Sequence, residues 1–308
     1  MDKRVVVIVG PTAVGKSHAG LNIAVKLNGE IVSADSVQVY KHLDIGSAKP
    51  TLQEQQAVPH HMIDILEPTE TYSVALYAQQ ARMVLDALLE KGITPVVVGG
   101  TGLYINALTY PMDFTPADVD EEYRNRLMQI SQEEGNEKLQ EMLRRVDVPS
   151  AQRIKQNDTK RLIRALEIHH MTGKPMSAYE QDYRNAPPEY DFCMIGLTMD
   201  REALYQKINA RVDGMMKAGL LQETEALSKR YPDSPVLQNA IGYKQLLPHI
   251  EQHVPLDDAV ELIKRETRRF AKRQLTWFRR DTRIHWVNAE MEEKGIEGEI
   301  LDIIQNKL

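Results

Sequence analysis

Residues 5–17 read VVVIVGPTAVGKS, and this stretch restricts the fold more than any other part of the chain. The apolar run from Val5 to Val9 is short and rich in β-branched valine, as expected of a strand buried on both faces of a parallel sheet. Directly behind it, Gly10 to Ser17 fit the pattern G-x-x-x-x-G-K-[ST], a glycine-rich turn that carries a strand into a helix. Successive backbone N–H groups and the first turn of that helix then converge on one spot and favour a polyanion there. Lys16 adds a mobile positive charge. The Ser17 hydroxyl is a candidate ligand for a Mg2+ ion that bridges phosphate oxygens.

The order of elements extends this beginning into a sheet. After a strand at 4–9 and a helix at 16–27, a second strand, EIVSAD, ends at Asp35. A helix over about 73–91 leads into ITPVVVGGTGLY, whose Val96–Val98 run ends in Gly99 and Gly100. Strands alternating with helices imply crossover connections and parallel pairing, and the ligand site of such a sheet lies beyond the carboxyl ends of its strands. Gly10–Ser17, Asp35 and Gly99–Thr101 all fall at such ends, so three distant segments are expected to meet in one crevice. Residues 118 to about 185 are polar, charged and helical in period, without a convincing strand, and 114–190 read as a helical insertion closed by Pro187 and Pro188. The chain then resumes with a strand at 192–198, a helix from Arg201, a helical run to about 280, a short strand RIHWV and a final helix near 293–306. The expected fold is α/β: a P-loop NTPase-like parallel sheet flanked by helices, with an all-helical insertion domain. Residues 1–113 and 191–308 form the expected core domain, and 114–190 the insertion.

Composition excludes several classes. No apolar stretch approaches the ~18 residues of a membrane span, and the N-terminal apolar run is too short for a signal peptide, so a cytoplasmic location is expected. Cys193 is the only cysteine, which rules out an internal disulfide and any cysteine-based zinc site. The pairs His60–His61 and His169–His170 lack metal-ligand spacing. A net charge of -6 speaks against a uniformly basic nucleic-acid binder, yet residues 264–280, KRETRRFAKRQLTWFRR, hold eight Lys or Arg and a single acidic residue, Glu266. A helix this basic has too little acid nearby for internal pairing and points to phosphate-backbone contacts.

The residues that carry chemistry leave alternatives open at this stage. Asp35 suits a general base, a magnesium ligand or the N-cap of the following turn. Thr101 stands where a nucleotide-hydrolysing motor usually places an aspartate, which weighs against an ATP-driven motor. Gly99, Gly100 and Gly102 permit close approach of a ligand or simply a tight turn beneath a helix. Leu204, Ile208, Val212 and Met215 follow helical spacing towards a core, and Arg201, Lys207 and Arg211 read on pattern as a solvated face. Three functions survive: a small-molecule kinase with ATP in the loop, a transferase whose loop holds the donor's diphosphate while a nucleic acid supplies the acceptor, and a nucleotide-gated RNA-binding switch.

A resemblance chooses among them. GPTAVGKS, ADSVQVYKHLDIGSAKP, PHHMIDI, VVVGGTGLYINAL, QNDTKRLIRALEI, NAIGYKQ and RFAKRQLTWFRR occur in that order over about residues 4–287, and together they resemble the bacterial tRNA dimethylallyltransferase (tRNA isopentenyltransferase) family. The resemblance implies transfer of a dimethylallyl group from dimethylallyl diphosphate to N6 of adenosine-37 in the anticodon loop of tRNAs that read codons starting with U. It implies that Gly10, Pro11, Thr12, Ala13, Val14, Gly15, Lys16 and Ser17 hold the donor's diphosphate, with Arg211 beside them and Mg2+ on Ser17. Asp35 would take the proton from the adenine amino group, and Thr101 would contact the reacting region. Contacts with tRNA are implied for Asp35, Ser36, Val37 and Gln38, with Gln38 reading a neighbouring base edge, and for Thr101. In the insertion they are implied for Arg124, Thr159, Lys160, Arg161, Leu162 and Ile163, which would grip the anticodon stem. Towards the C-terminus they are implied for Asn239, Ala240, Ile241, Gly242, Tyr243 and Lys244, then for Lys272, Arg273, Gln274, Thr276, Trp277 and Arg279. No obligate protein partner is expected, nor a zinc-assisted RNA contact through a C-terminal Cys/His module of the kind carried by eukaryotic relatives.

Overall fold

The strand that leads into the phosphate loop lies in the interior of a parallel sheet, with its residues Val5 to Val9 fully buried. In this computed structural model residues 3–112, 120–180, 187–252 and 254–306 are described. The first part of the chain forms β1 (Arg4–Val9), α1 (Lys16–Leu27), β2 (Glu30–Ala34), α2 (Leu52–Ala57), β3 (His60–His61), α3 (Val74–Glu90), β4 (Pro95–Gly99) and α4 (Gly102–Thr109). A helical segment follows with α5 (Glu121–Glu133), α6 (Asn136–Val146), α7 (Val148–Arg153), α8 (Thr159–Thr172) and α9 (Met176–Glu180). The chain then returns through β5 (Asp191–Thr198), α10 (Arg201–Ala218), α11 (Leu220–Arg230), α12 (Pro235–Asn239) and α13 (Tyr243–Gln252). It closes with α14 (Leu256–Phe278), β6 (His285–Asn288) and α15 (Glu293–Asn306).

The strands pair in the order β3-β2-β4-β1-β5-β6, and every pairing is parallel, with Val7 of β1 opposite Val97 of β4 and Met194 of β5. Successive side chains of a strand point to opposite faces, so the continuous apolar runs feed two cores at once. Val6, Ile8, Val96 and Ile195 pack with Ile23 of α1 and with Ile300 and Ile304 of α15. Val5, Val7, Val97 and Met194 pack on the opposite side with Tyr77 and Leu85 of α3 and with Ile105 and Leu108 of α4. Each such aliphatic side chain contributes about 1.5–3 kcal/mol when fully buried. This is the expected α/β fold. A third core joins Val39 and Leu43 of the β2–α2 connection to Val212, Leu237, Tyr243 and Ile263 of the later helices.

Two compact units result, one made of residues 1–109 with 190–308 and the other of residues 110–189. The second has its own core of Leu127, Leu139, Leu143, Leu162, Ile163 and Leu166. The boundary expected at 113/114 lies outside the described residues. Three short elements go beyond the expected order. Helix α2 is announced by a capping box, in which Thr51 accepts from the Glu54 N–H and the Glu54 carboxylate accepts from the Thr51 N–H, a signature written in the sequence as T-L-Q-E. Strand β3 exists because His60 and His61 pair with Ile31 and Val32 of β2, and α4 starts inside the glycine cluster that follows β4.

Candidate active site

The phosphate loop turns sharply back towards α1. Ala13 and Gly15 both take positive φ, 66° and 107°, and at Gly15 a Cβ would meet nothing within 4 Å, so glycine is needed there for its conformation and not for space. Lys16 opens α1 and donates from Nζ to the Pro11 carbonyl at 2.8 Å. Beside it stand Arg211 of α10 and Asp35, just past the end of β2, and all three line one cavity of about 80 Å³ with Thr12, Ser17 and Gly100. Burial, reinforced by the positive charge of Arg211 and opposed by Asp35, lowers the Lys16 pKa to about 7. Burial also lowers that of Arg211, against the pull of Asp35. Two half-buried cations facing a single carboxylate form a site completed by an anionic ligand.

Asp35 is oriented by its own backbone. Oδ1 accepts from the Val37 N–H at 2.8 Å and the Gln38 N–H at 3.3 Å, so the carboxylate caps the following turn and the second oxygen is left without a hydrogen bond among the described residues. Thr101 pins the same turn, for its Oγ1 accepts from the Ser36 N–H at 3.0 Å and its own N–H donates to the Ala34 carbonyl at 3.2 Å. The ends of β2 and β4 are thereby tied together, and they bring Asp35 to the junction of two cavities.

The second cavity, about 310 Å³, is at the lower end of the ~300–1,000 Å³ usual for small-molecule sites. It shares Thr12, Asp35, Ser47, Arg211 and Phe270 with the first. Its walls also include Ser36 and Val37, Thr101, Met215 of α10, Asn239 to Gly242 with Lys244, and Thr267 and Arg273 of α14. One wall is stiffened from behind by Glu223 of α11, whose carboxylate accepts from the N–H groups of Asp44, Ile45 and Gly46 and from the Tyr243 hydroxyl at 2.6 Å. A small polar pocket carrying cations and a larger, more apolar one therefore meet at a carboxylate.

The predicted residues sort into three groups. Gly10–Ser17, Asp35, Thr101 and Arg211 converge in one unit; of the loop, Thr12, Lys16 and Ser17 line the first cavity, and Thr12, Asp35, Thr101 and Arg211 line the second with Ser36, Val37, Asn239, Ala240, Ile241, Gly242, Lys244 and Arg273. Lys272, Thr276 and Arg279 are exposed near it on the outer side of α14 and its C-cap. The solvated face read for Arg211 is corrected, since the helical pattern of α10 could not register Asp35 and Lys16. Other residues face inward. Leu162 and Ile163 belong to the core of the helical unit and Tyr243 is fully buried with its hydroxyl on Glu223, so contacts from these side chains to RNA are ruled out by burial. Thr159, Lys160 and Arg161 begin α8, with Lys160 and Arg161 exposed. The Gln38 amide donates to the Ser47 and Ala48 carbonyls and accepts from the Ser33 hydroxyl, an internal role in place of the base reader. Arg124 pairs at 3.0 Å with the fully buried carboxylate of Glu167, Gln274 is buried, and Trp277 packs against Gly102.

The basic helix is also less uniform than its sequence. Lys264 pairs with Asp213 and Glu261, Arg269 with Glu266, and Arg268 donates to Asn209 of α10. The acid that satisfies Lys264 comes partly from another helix, out of reach of a count along one segment. Glu223, Ser47 and Phe270 escaped the sequence reading for the same reason, although the Asp44–Pro50 stretch carried the turn residues Gly46, Ser47 and Pro50.

No group of three or more His, Cys, Asp or Glu among the described residues is placed to hold a metal ion. A magnesium ion nevertheless fits the donor set, because the Ser17 hydroxyl lines the first cavity without a hydrogen bond to another described residue, and Mg2+ commonly takes most of its ligands from substrate phosphates and water. No described helix is long and apolar enough to cross a membrane.

Fold and site together define a parallel α/β protein with a phosphate-loop pocket suited to an anionic ligand. The family profile described as IPP transferase matches residues 38–281, and the chain belongs to that family. A curated tRNA dimethylallyltransferase of Carboxydothermus hydrogenoformans is 49% identical over 293 residues, covering 95% of this chain and 94% of the relative. The tRNA dimethylallyltransferase of Acetivibrio thermocellus is 45% identical, covering 93% and 92%. Among solved structures, the full-length tRNA isopentenylpyrophosphate transferase of Bacillus halodurans is similar with a TM-score of 0.75 at 40% identity, covering 99% of this chain and 97% of its own. A eukaryotic dimethylallyltransferase captured acting on tRNA gives 0.77 at 29% identity, covering 94% and 74%.

Proposed function

We propose that this protein transfers the dimethylallyl group of dimethylallyl diphosphate to a tRNA, at N6 of adenosine-37 in tRNAs that read codons starting with U, and releases diphosphate. The observation that carries this reading is the meeting of the two cavities at Asp35, with Lys16 in the smaller one, Arg211 lining both and the larger pocket more apolar. Family membership supports the reaction class.

In this mechanism the donor's diphosphate lies on the phosphate loop against Lys16 and Arg211, and the adenine enters the second cavity. The N6–C1 bond forms as the C1–O bond breaks, the departing diphosphate keeps the bonding electron pair, and the N6 proton passes to the free oxygen of Asp35. An exocyclic adenine amine is a weak nucleophile because its lone pair is delocalised into the ring, so a base within hydrogen-bond reach assists it. Lys16 and Arg211 stand where negative charge grows on the leaving group. Mg2+ held by the Ser17 hydroxyl together with the diphosphate would neutralise more of that charge. The base must leave its stack to reach the pocket, at a cost of about a few kcal/mol. Lys272, Arg273, Thr276 and Arg279 are the exposed groups suited to the RNA backbone, and Lys160 and Arg161, with the half-buried Thr159 beside them, are suited to the anticodon stem. The enzyme is cytoplasmic in this reading, where its RNA substrate is.

The test is a transfer assay with purified protein, Mg2+, labelled dimethylallyl diphosphate and an unmodified tRNA bearing adenosine-37, with and without ATP. Label on that adenosine without ATP is the expected result. Absence of label together with consumption of ATP would replace the transfer reading by a kinase.

A further inference from the structure

Gln274 is turned away from the surface that its neighbours on α14 present. An α-helix rotates about 100° per residue, so while Lys272, Arg273 and Thr276 are exposed, Gln274 is 6% exposed and packs under the site. Its Oε1 accepts from the Thr12 N–H at 2.8 Å and its Nε2 donates to the Gly100 carbonyl at 2.9 Å. The orientation of the amide is fixed by its partners, since an N–H can only donate and a carbonyl can only accept. One side chain thus bridges the loop after β1 and the loop after β4. Gly100 is shaped to admit it: a Cβ there would lie 2.3 Å from Nε2.

We infer that Gln274 is a positioning residue for the phosphate loop, so that a residue of the RNA-facing helix sets affinity for the diphosphate; the inference rests on the transfer reading above. The Thr12 N–H that Gln274 holds is in the loop limb whose preceding residue, Pro11, offers the carbonyl that orients the Lys16 ammonium at 2.8 Å. On the other side, Gly100 precedes Thr101, which pins the Asp35 turn through the Ser36 N–H. Both polar atoms of Gln274 are thus engaged inside the protein, each on a loop of the site. Without this residue, the Thr12 N–H and the Gly100 carbonyl lose their partner in the interior, and the loop loses its tie to α14.

The experiment measures binding of inorganic diphosphate with Mg2+ by calorimetry, and tRNA binding in parallel, for wild type, Gln274→Leu and Gly100→Ala. Both variants are expected to bind diphosphate about tenfold more weakly, the scale of one lost buried hydrogen-bonding group, with tRNA Kd within about twofold of wild type. Gly100→Ala displaces the amide while leaving Gln274 in the chain, so agreement between the variants separates positioning from mere loss of a side chain. Amide exchange at Thr12 in the wild-type protein is expected to be slow, and this measurement stands even where a variant does not fold. Unchanged diphosphate affinity in a folded variant, fast exchange at Thr12, or loss of tRNA affinity with diphosphate affinity kept would overturn the inference. Failure of the wild type to transfer the prenyl group would overturn the transfer reading instead, and the ratio of diphosphate affinities would still decide the role of Gln274.

Discussion

Asp35 has a structural duty and, in the proposed mechanism, a chemical one, and one substitution can separate them. Oδ1 holds the Val37 and Gln38 N–H groups, a capping role, and the other oxygen is available as a base. Asp35→Asn keeps an acceptor for the turn and removes the basic carboxylate. Its kcat is expected to fall by about 10²–10⁴-fold with tRNA Kd nearly unchanged, and equal losses in both would assign Asp35 to binding. Lys16 gives a pH test. In the free site its pKa is lowered to about 7, chiefly by burial and then by Arg211. A bound diphosphate favours the ammonium and raises that pKa, so binding takes up a proton wherever the free protein has lost it. Through this group, diphosphate affinity is level below pH 7 and falls as pH rises above it, by up to about tenfold per unit. Comparison with Lys16→Arg, which stays charged, removes the ionisation of diphosphate itself; parallel pH profiles would mean that Lys16 stays charged across this range and that burial does not lower its pKa as described. Lys16 and Ser17 were legible in the sequence because a phosphate loop is a local pattern. Arg211 was legible only through resemblance, since its partners Asp35 and Lys16 come from other elements.

At the scale of elements, α14 combines an inner face, with Ile263, Ala271, Gln274 and Phe278 buried, and an outer face of cations. The run of basic positions announced the outer face, but the inward turn of the polar Gln274 had no local signal, and which cations are internally satisfied depended on Asp213 and Asn209 of α10. Lys272 and Arg273 have no ion-pair partner among the described residues, although the Arg273 guanidinium lies 5.8 Å from the Phe270 ring. Replacing both by Ala is expected to weaken tRNA binding and to flatten its log-log salt dependence by about 0.7–0.9 for each phosphate that is no longer neutralised. Lys264→Ala is the control, because its ammonium is already held by Asp213 and Glu261 and the slope should stay as it was. An equal change from both substitutions would mean that net charge, and not the outer face of α14, governs the interaction. The long parallel strands were likewise legible from their valine runs, whereas β3, two residues long, is defined only by its pairing with β2 and has no local signal.

On the scale of the whole molecule, the two units have separate cores, and the functional groups divide along the same line. The phosphate loop, Asp35, Thr101 and Arg211 belong to the unit of residues 1–109 and 190–308, while Thr159, Lys160 and Arg161 belong to that of residues 110–189. The sequence distinguished the units by their change from strand-and-helix alternation to helical period alone, but the inward turn of Leu162 and Ile163 within a segment resembling an RNA-contacting motif emerged only from packing against Leu127, Leu139 and Leu143. Leu162→Ala is therefore a test of the division of labour. Leu162 is 0% exposed, and truncating such a leucine costs about 2–5 kcal/mol through the lost transfer energy and the cavity left behind. Amide exchange over residues 121–172 should accelerate by the corresponding factor while that of the sheet strands stays unchanged. If the helical unit grips the anticodon stem, tRNA affinity falls with its opening, and the affinity for inorganic diphosphate, which depends on the other unit, is unaltered. A parallel loss of diphosphate affinity would show that the phosphate loop depends on the fold of the helical unit, and the two units would then have to be treated as one binding element.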